Sequence, residues 1–232
     1  MSQIKSQGVS ENKFKMKKII AFIFFISVSI IDVFAILNNQ IEIRYFSKPL
    51  LMLSLLLLYF ISVKKVNKLY VIGLFFSFLG DVFLLGASKN YFMFGLVSFL
   101  LAHIMYIKMT TSFIKKKSIP KTILSIIPFL IYVLGLLFLL KNHLDNMLIP
   151  VIIYGIVIAT FGVIATINYL NNKSIINFWL FLGALFFITS DSILAINKFY
   201  QPQEIYNVLI MLTYIIAQFL ICKAIIGKSE VN

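Results

Sequence analysis

The chain has 232 residues, 61% of them hydrophobic and only 12% charged, with a net charge of +13 and a mean hydropathy of +0.99. Soluble domains carry roughly 25% charged residues, so these values exclude an ordinary globular enzyme and indicate a polytopic membrane protein. The single cysteine, Cys222, excludes an intramolecular disulfide and a thiolate metal site, and two histidines, His103 and His143, are too few for a metal without carboxylate help. No metal or cofactor is expected.

In chain order, a basic stretch of 18 residues comes first, and it lacks the small-residue cleavage pattern of a signal peptide. Eight apolar runs follow, at 19 to 37, 48 to 63, 69 to 86, 91 to 110, 119 to 140, 147 to 170, 175 to 197 and 204 to 226. Each approaches the ~20 residues of a membrane helix and is too continuously apolar for a barrel strand of about ten. The expected fold is all-α: a single eight-helix transmembrane domain over 19–226, a basic cytoplasmic tail at 1–18 and a short tail at 227–232. The connections are short and marked by Lys64-Lys65, Lys115-Lys116-Lys117 and Gln201-Pro202. Of the 21 lysines and arginines, 16 fall on the side that holds both ends of the chain, so the positive-inside rule places both termini in the cytoplasm. The charge is this orientation signal plus attraction to anionic lipid, so the bilayer rather than nucleic acid is the expected partner. A bacterial inner membrane is the expected location.

Acidic residues inside such runs are the chemically informative ones, because each costs roughly 2.5–3.5 kcal/mol at the helix centre unless paired, hydrated or protonated. Gly80-Asp81-Val82-Phe83-Leu84 and Ser190-Asp191-Ser192-Ile193-Leu194 share one shape, 110 residues apart, on the third and seventh runs. That spacing suggests a parallel 4+4 repeat and one shared polar site. Asp32 lies on the first run, and all three aspartates fall five or six residues before the expected outer helix ends, about 8 Å below them. Helical periodicity puts Gly73, Ser77, Asp81 and Ser88 on one stripe, and Gly183, Phe187, Asp191, Ala195 and Lys198 on another. Facing stripes are Phe99, His103, Tyr106 and Thr110 on the fourth run, and Asn207, Met211, Tyr214 and Gln218 on the eighth. Small and hydroxyl residues of this kind also serve plain helix packing. Asp32 is near enough to a helix end to be solvated, and Lys48-Pro49 reads as a helix start with an interfacial lysine that can meet a lipid phosphate.

Several of these strings resemble the YhhN-type lysoplasmalogenase family of integral membrane proteins. They are Gly80-Asp81-Val82-Phe83-Leu84-Leu85, Ala102-His103-Ile104-Met105-Tyr106, Gly183-Ala184-Leu185-Phe186-Phe187, Ser190-Asp191-Ser192-Ile193-Leu194-Ala195, Thr213-Tyr214 and Ala217-Gln218, with Lys48-Pro49 and Tyr154. Their order from the second run to the eighth carries the match, while Asp32 falls outside it. The resemblance implies hydrolysis of the vinyl-ether bond of a lysophospholipid, the lysoplasmalogen, to a fatty aldehyde and glycerophosphoethanolamine or glycerophosphocholine. It carries the family's aspartates onto Asp81 and Asp191.

Elementary chemistry agrees, since a vinyl ether is cleaved by protonating its β-carbon and adding water to the resulting oxocarbenium ion. One protonated and one ionised aspartate would serve that, as in carboxylate pairs that split glycosides. Lys48, His103, Tyr154, Tyr214, Gln218 and Asp32 would then bind substrate, hold water or support the acids. The same two carboxyls also suit a proton-coupled transporter, or a scaffold whose aspartates only pair helices.

Overall fold

The computed structural model describes residues 2–114 and 118–231, with side chains over 12–114 and 118–230. The basic cluster Lys115-Lys116-Lys117 and the side chains of the first eleven residues lie outside the described residues. Eight α-helices run in order among the described residues: α1 Ser2–Leu37, α2 Ile41–Ser62, α3 Lys68–Phe83, α4 Lys89–Thr111, α5 Ile119–Leu140, α6 Leu148–Asn171, α7 Ile175–Phe199 and α8 Glu204–Val231. Two short 3-10 turns, Lys141–His143 and Asp145–Met147, join α5 to α6. Seven of the helices are long and apolar enough to cross a membrane. The exception is α3, whose 16 residues reach about 24 Å at 1.5 Å per residue.

Local chemistry sets the boundaries. The Asn67 side chain accepts the Tyr70 backbone N–H at 3.2 Å and caps α3, and Ser174 does the same for Asn177 at the start of α7. At the far end of α3 the last bonds tighten, with Leu85 N–H to Val82 O and Gly86 N–H to Phe83 O, before Ser88 caps α4. Asn39 turns the chain between α1 and α2 with φ of 54°, a left-handed conformation that asparagine tolerates.

Two boundaries differ from the sequence reading in ways that matter. First, α2 begins at Ile41, so Lys48 and Pro49 lie two turns inside the helix. Glu42 and Arg44 interrupt the apolar run and disguise this first part as a loop. Second, α3 stops at Phe83 and α7 continues to Phe199, which leaves Asp81 two residues and Asp191 eight residues from their helix ends. The equal depth expected from helix ends does not hold.

Adjacent helices pack as α1 on α2, α3 on α4, α5 on α6 and α7 on α8, and α4–α6, α6–α7, α2–α3 and α1–α8 contacts close the bundle. Glycine permits the closest approaches. A Cβ at Gly80 would lie 2.6 Å from the Phe99 ring, and one at Gly183 would lie 3.1 Å from the Ala217 carbonyl, so α3 and α7 meet their partners almost backbone to side chain. Asn168 donates to Asn177 at 3.1 Å, and Asn177 donates to the Asn172 carbonyl at 2.7 Å, clasping the α6–α7 turn. The outlier is α5: 17% of its most apolar segment is buried, against 50% for α2, so it stands at the rim.

Candidate active site

Both aspartates of the repeated motif point into the bundle, and each is met by two other helices. Asp81 is 1% exposed. Tyr214 on α8 donates to its Oδ2 at 2.7 Å, and Lys48 Nζ on α2 forms an ion pair with its Oδ1 at 4.0 Å. Behind Tyr214 runs a polar chain. Tyr106 donates to Gln218 Oε1 at 3.0 Å, and Gln218 Nε2 donates to Ser77 Oγ at 3.0 Å and to Tyr214 Oη at 3.4 Å. Because Ser77 is one turn before Asp81 and Gln218 is one turn after Tyr214, helical spacing alone brings the two pairs face to face.

Asp191 is served from other directions. Tyr154 on α6 donates a short hydrogen bond to its Oδ2, and His103 Nε2 on α4 lies 3.9 Å from the same oxygen. His103 is fully buried, and neither ring nitrogen has a hydrogen-bond partner among the described residues. Its ring stands edge-on to Phe187 at 4.5 Å and to Tyr154 at 5.7 Å. Phe187 also meets Tyr214 at 5.5 Å, so one fully buried ring packs against the partner groups of both acids.

Asp191 faces an opening. A narrow apolar cavity of about 40 Å3, partly open to the outside, has Asp191, Tyr154 and Tyr132 as its polar wall. Leu84, Phe99, Ile158 and Leu194 are among the apolar lining, and Asp81 does not line it.

Asp32, near enough to a helix end to be solvated, is instead buried. It is 0% exposed, its Oδ1 accepts from Ser47 at 2.6 Å, and Arg44 Nε stands 3.9 Å from the same atom. The early start of α2 supplies both covers. Lys48 is likewise buried against Asp81 instead of sitting at an interface. Ser88 caps α4 outside the stripe assigned to it, Lys198 is exposed over the Phe92 ring, and exposed Asn207 pairs with Asn197. Of the remaining stripe members, Gly73, Ser77, Phe99, Tyr106, Thr110, Gly183, Phe187, Met211, Tyr214 and Gln218 are buried and Ala195 is half-buried. Sequence reasoning missed Arg44, Ser47 and Tyr132. Tyr132 was visible only as a polar group in the rim helix α5, bonded to Ser192 beside Asp191 at 2.8 Å.

With this geometry in view, three comparisons are informative. The YhhN family model matches residues 43–225. Lysoplasmalogenase TMEM86A of Homo sapiens is 29% identical over 172 residues, covering 68% of this chain and 65% of that protein. Lysoplasmalogenase TMEM86A of Bos taurus is 28% identical over the same length with the same coverage. The chain thus spans just under two thirds of these curated relatives. No solved structure matches it.

Proposed function

Because the chain belongs to the YhhN family, we propose that it is a lysoplasmalogenase-like ether hydrolase that works with Asp191 and Asp81. The observation that carries this reading is a carboxyl group and a tyrosine, Asp191 and Tyr154, set in the wall of an otherwise apolar cavity. Such a wall presents an acid to an apolar group that enters the cavity. The mammalian relatives named lysoplasmalogenase support the same substrate class.

In the proposed reaction, Asp191 as carboxylic acid gives its proton to the β-carbon of the vinyl ether. The C=C electron pair forms the new C–H bond and leaves an oxocarbenium ion. Water then adds to the carbon bearing oxygen, and Asp191, now a carboxylate, takes the water's proton. The resulting hemiacetal breaks its C–O bond to the glycerol side, its hydroxyl proton passing to the leaving oxygen, and yields the fatty aldehyde and the glycerophospho alcohol. One water is consumed. Tyr154 holds the Asp191 carboxyl in one orientation. Asp81, fixed by Tyr214 and Lys48, supplies a negative charge whose field favours the cation. His103 and Asp191 converge closely enough to hold the attacking water between them.

The proposal includes an eight-span topology with both termini cytoplasmic. Short connections at 63–67 and 84–88 support it, since α3 then carries the chain between the opposite faces at which α2 ends and α4 begins. It also includes the 4+4 repeat. Each acid meets the second helix of its own half, through Lys48 on α2 or Tyr154 on α6. Each also meets the fourth helix of the other half, through Tyr214 on α8 or His103 on α4. His103 and Tyr214 are 111 residues apart, nearly the spacing of the aspartates.

Aldehyde release from lysoplasmenylethanolamine by purified protein tests the reading. Turnover by wild type that is lost in folded Asp191→Asn supports it, and a folded wild type that releases no aldehyde overturns it.

A further inference from the structure

Tyr132 has two faces. One lines the Asp191 cavity, and the other lines a lateral groove of about 490 Å3 between α5, α6 and α7, open along one side, with Pro128, Phe181, Leu185, Thr189 and Ile193 along it. The few hydroxyls in this groove are spent on their own helices. Thr189 donates to the Leu185 carbonyl at 3.0 Å, Thr166 to Gly162 at 2.8 Å, and Ser192 to Ile188. The groove therefore offers a ligand no strong donor, and its chemistry suits a saturated hydrocarbon chain.

The partition between groove and cavity is slight. Ser192 has one hydroxyl proton, and it goes to the Ile188 carbonyl, so in the 2.8 Å contact with Tyr132 it is the tyrosine that donates. That bond ties α5 to α7. One turn earlier, Pro128 lacks an N–H, which leaves the Leu124 carbonyl without its helical donor and weakens α5 at that point. The helix is also the least buried of the apolar spans.

We propose that the groove and the Asp191 cavity are two parts of one channel. The hydrocarbon chain of a single-chain membrane lipid enters it sideways between α5 and α7, and the Tyr132–Ser192 hydrogen bond is its partition. The effect on turnover rests on the hydrolase reading above, whereas occupancy of the groove does not.

The test uses the full chain in lipid nanodiscs and a lysophosphatidylcholine bearing a diazirine near the end of its ester-linked chain, which has no vinyl ether to cleave. Photolabelling mapped by mass spectrometry is expected on residues 128–132 and 181–193. Thr189→Trp, at an exposed position lining the groove, should cut that labelling about tenfold. Leu130→Trp, on the outward face of α5 at 54% exposure, should leave it unchanged. Tyr132→Phe should raise labelling of Leu194 and Ala195 in the cavity. Label spread evenly over the lipid-facing helices, or indifferent to Thr189→Trp, overturns the channel, and unchanged cavity labelling in Tyr132→Phe overturns the partition. In a chain-length series of vinyl-ether substrates, Thr189→Trp should lose long chains about tenfold more than short ones. Absence of all turnover in wild type would sink the hydrolase reading and leave the labelling result standing.

Discussion

Asp81 and Asp191 carry the same local sequence shape and meet corresponding helices, yet their surroundings are opposite in kind. Around Asp81 the space is sealed: a cation, a tyrosine, a glutamine and a serine close on it from α2, α8 and α3. Around Asp191 the neighbours are a tyrosine and a buried histidine, and one side gives onto an apolar cavity. The lesson is that a shared local sequence shape does not decide an acid's role; the residues that reach it from neighbouring helices decide what it faces. Lysine and tyrosine close on one carboxyl, while the other, beside tyrosine and histidine, lines a cavity.

The comparison breaks most sharply under mutation of the acids. Asp191→Asn is expected to lower kcat by roughly 10²–10⁴-fold, the usual worth of a positioned general acid, with thermal stability in detergent near wild type. Asp81→Asn should instead strand the Lys48 charge and cost about 3 kcal/mol of stability. Lys48→Met added to Asp81→Asn should restore much of the melting temperature without restoring the rate. A restored rate would show that Asp81 serves only to neutralise Lys48. Next in size, Gly80→Ala drives a methyl into the Phe99 ring and should cost about 1–3 kcal/mol as an overpacked contact, read as a fall in melting temperature. The smallest contrast sharpens the view. Tyr154→Phe should reduce kcat about tenfold by freeing the Asp191 carboxyl, while Tyr214→Phe should cost only the ~0.6–1.7 kcal/mol of an interhelical hydrogen bond and chiefly affect stability. Equal kinetic effects of the two would contradict the division of labour.

Helix existence and order were legible because each span is a long apolar run broken by lysine, asparagine or proline. The start of α2 was not, since Glu42 and Arg44 look like loop residues until Arg44 and Ser47 are seen covering Asp32. In the site, Tyr214, Gln218, His103 and Tyr154 followed from helical spacing or from family resemblance. Tyr132 did not follow from either, because its importance depends on where α5 lies against α7, and nothing in a nearly featureless apolar helix specifies its neighbour. The ends of α3 and α7 were equally hidden, being set by a capping serine and by the turn beyond Phe199 rather than by hydropathy.

The brevity of α3 has a mechanical consequence for the bilayer itself. In the eight-span topology proposed above, a span of about 24 Å beside a hydrocarbon layer of roughly 30 Å gives α3 a step of some 6 Å along a flank where Ile72, Phe75 and Val82 are exposed. Lipids bordering that flank must compress or tilt to meet it, at fractions of a kcal/mol per Å. The step favours a dimple that lowers headgroups toward Asp81, two residues from the end of the helix. A thicker, stiffer membrane would resist the dimple, and the protein would feel the elasticity of its host bilayer as a load on its own bundle.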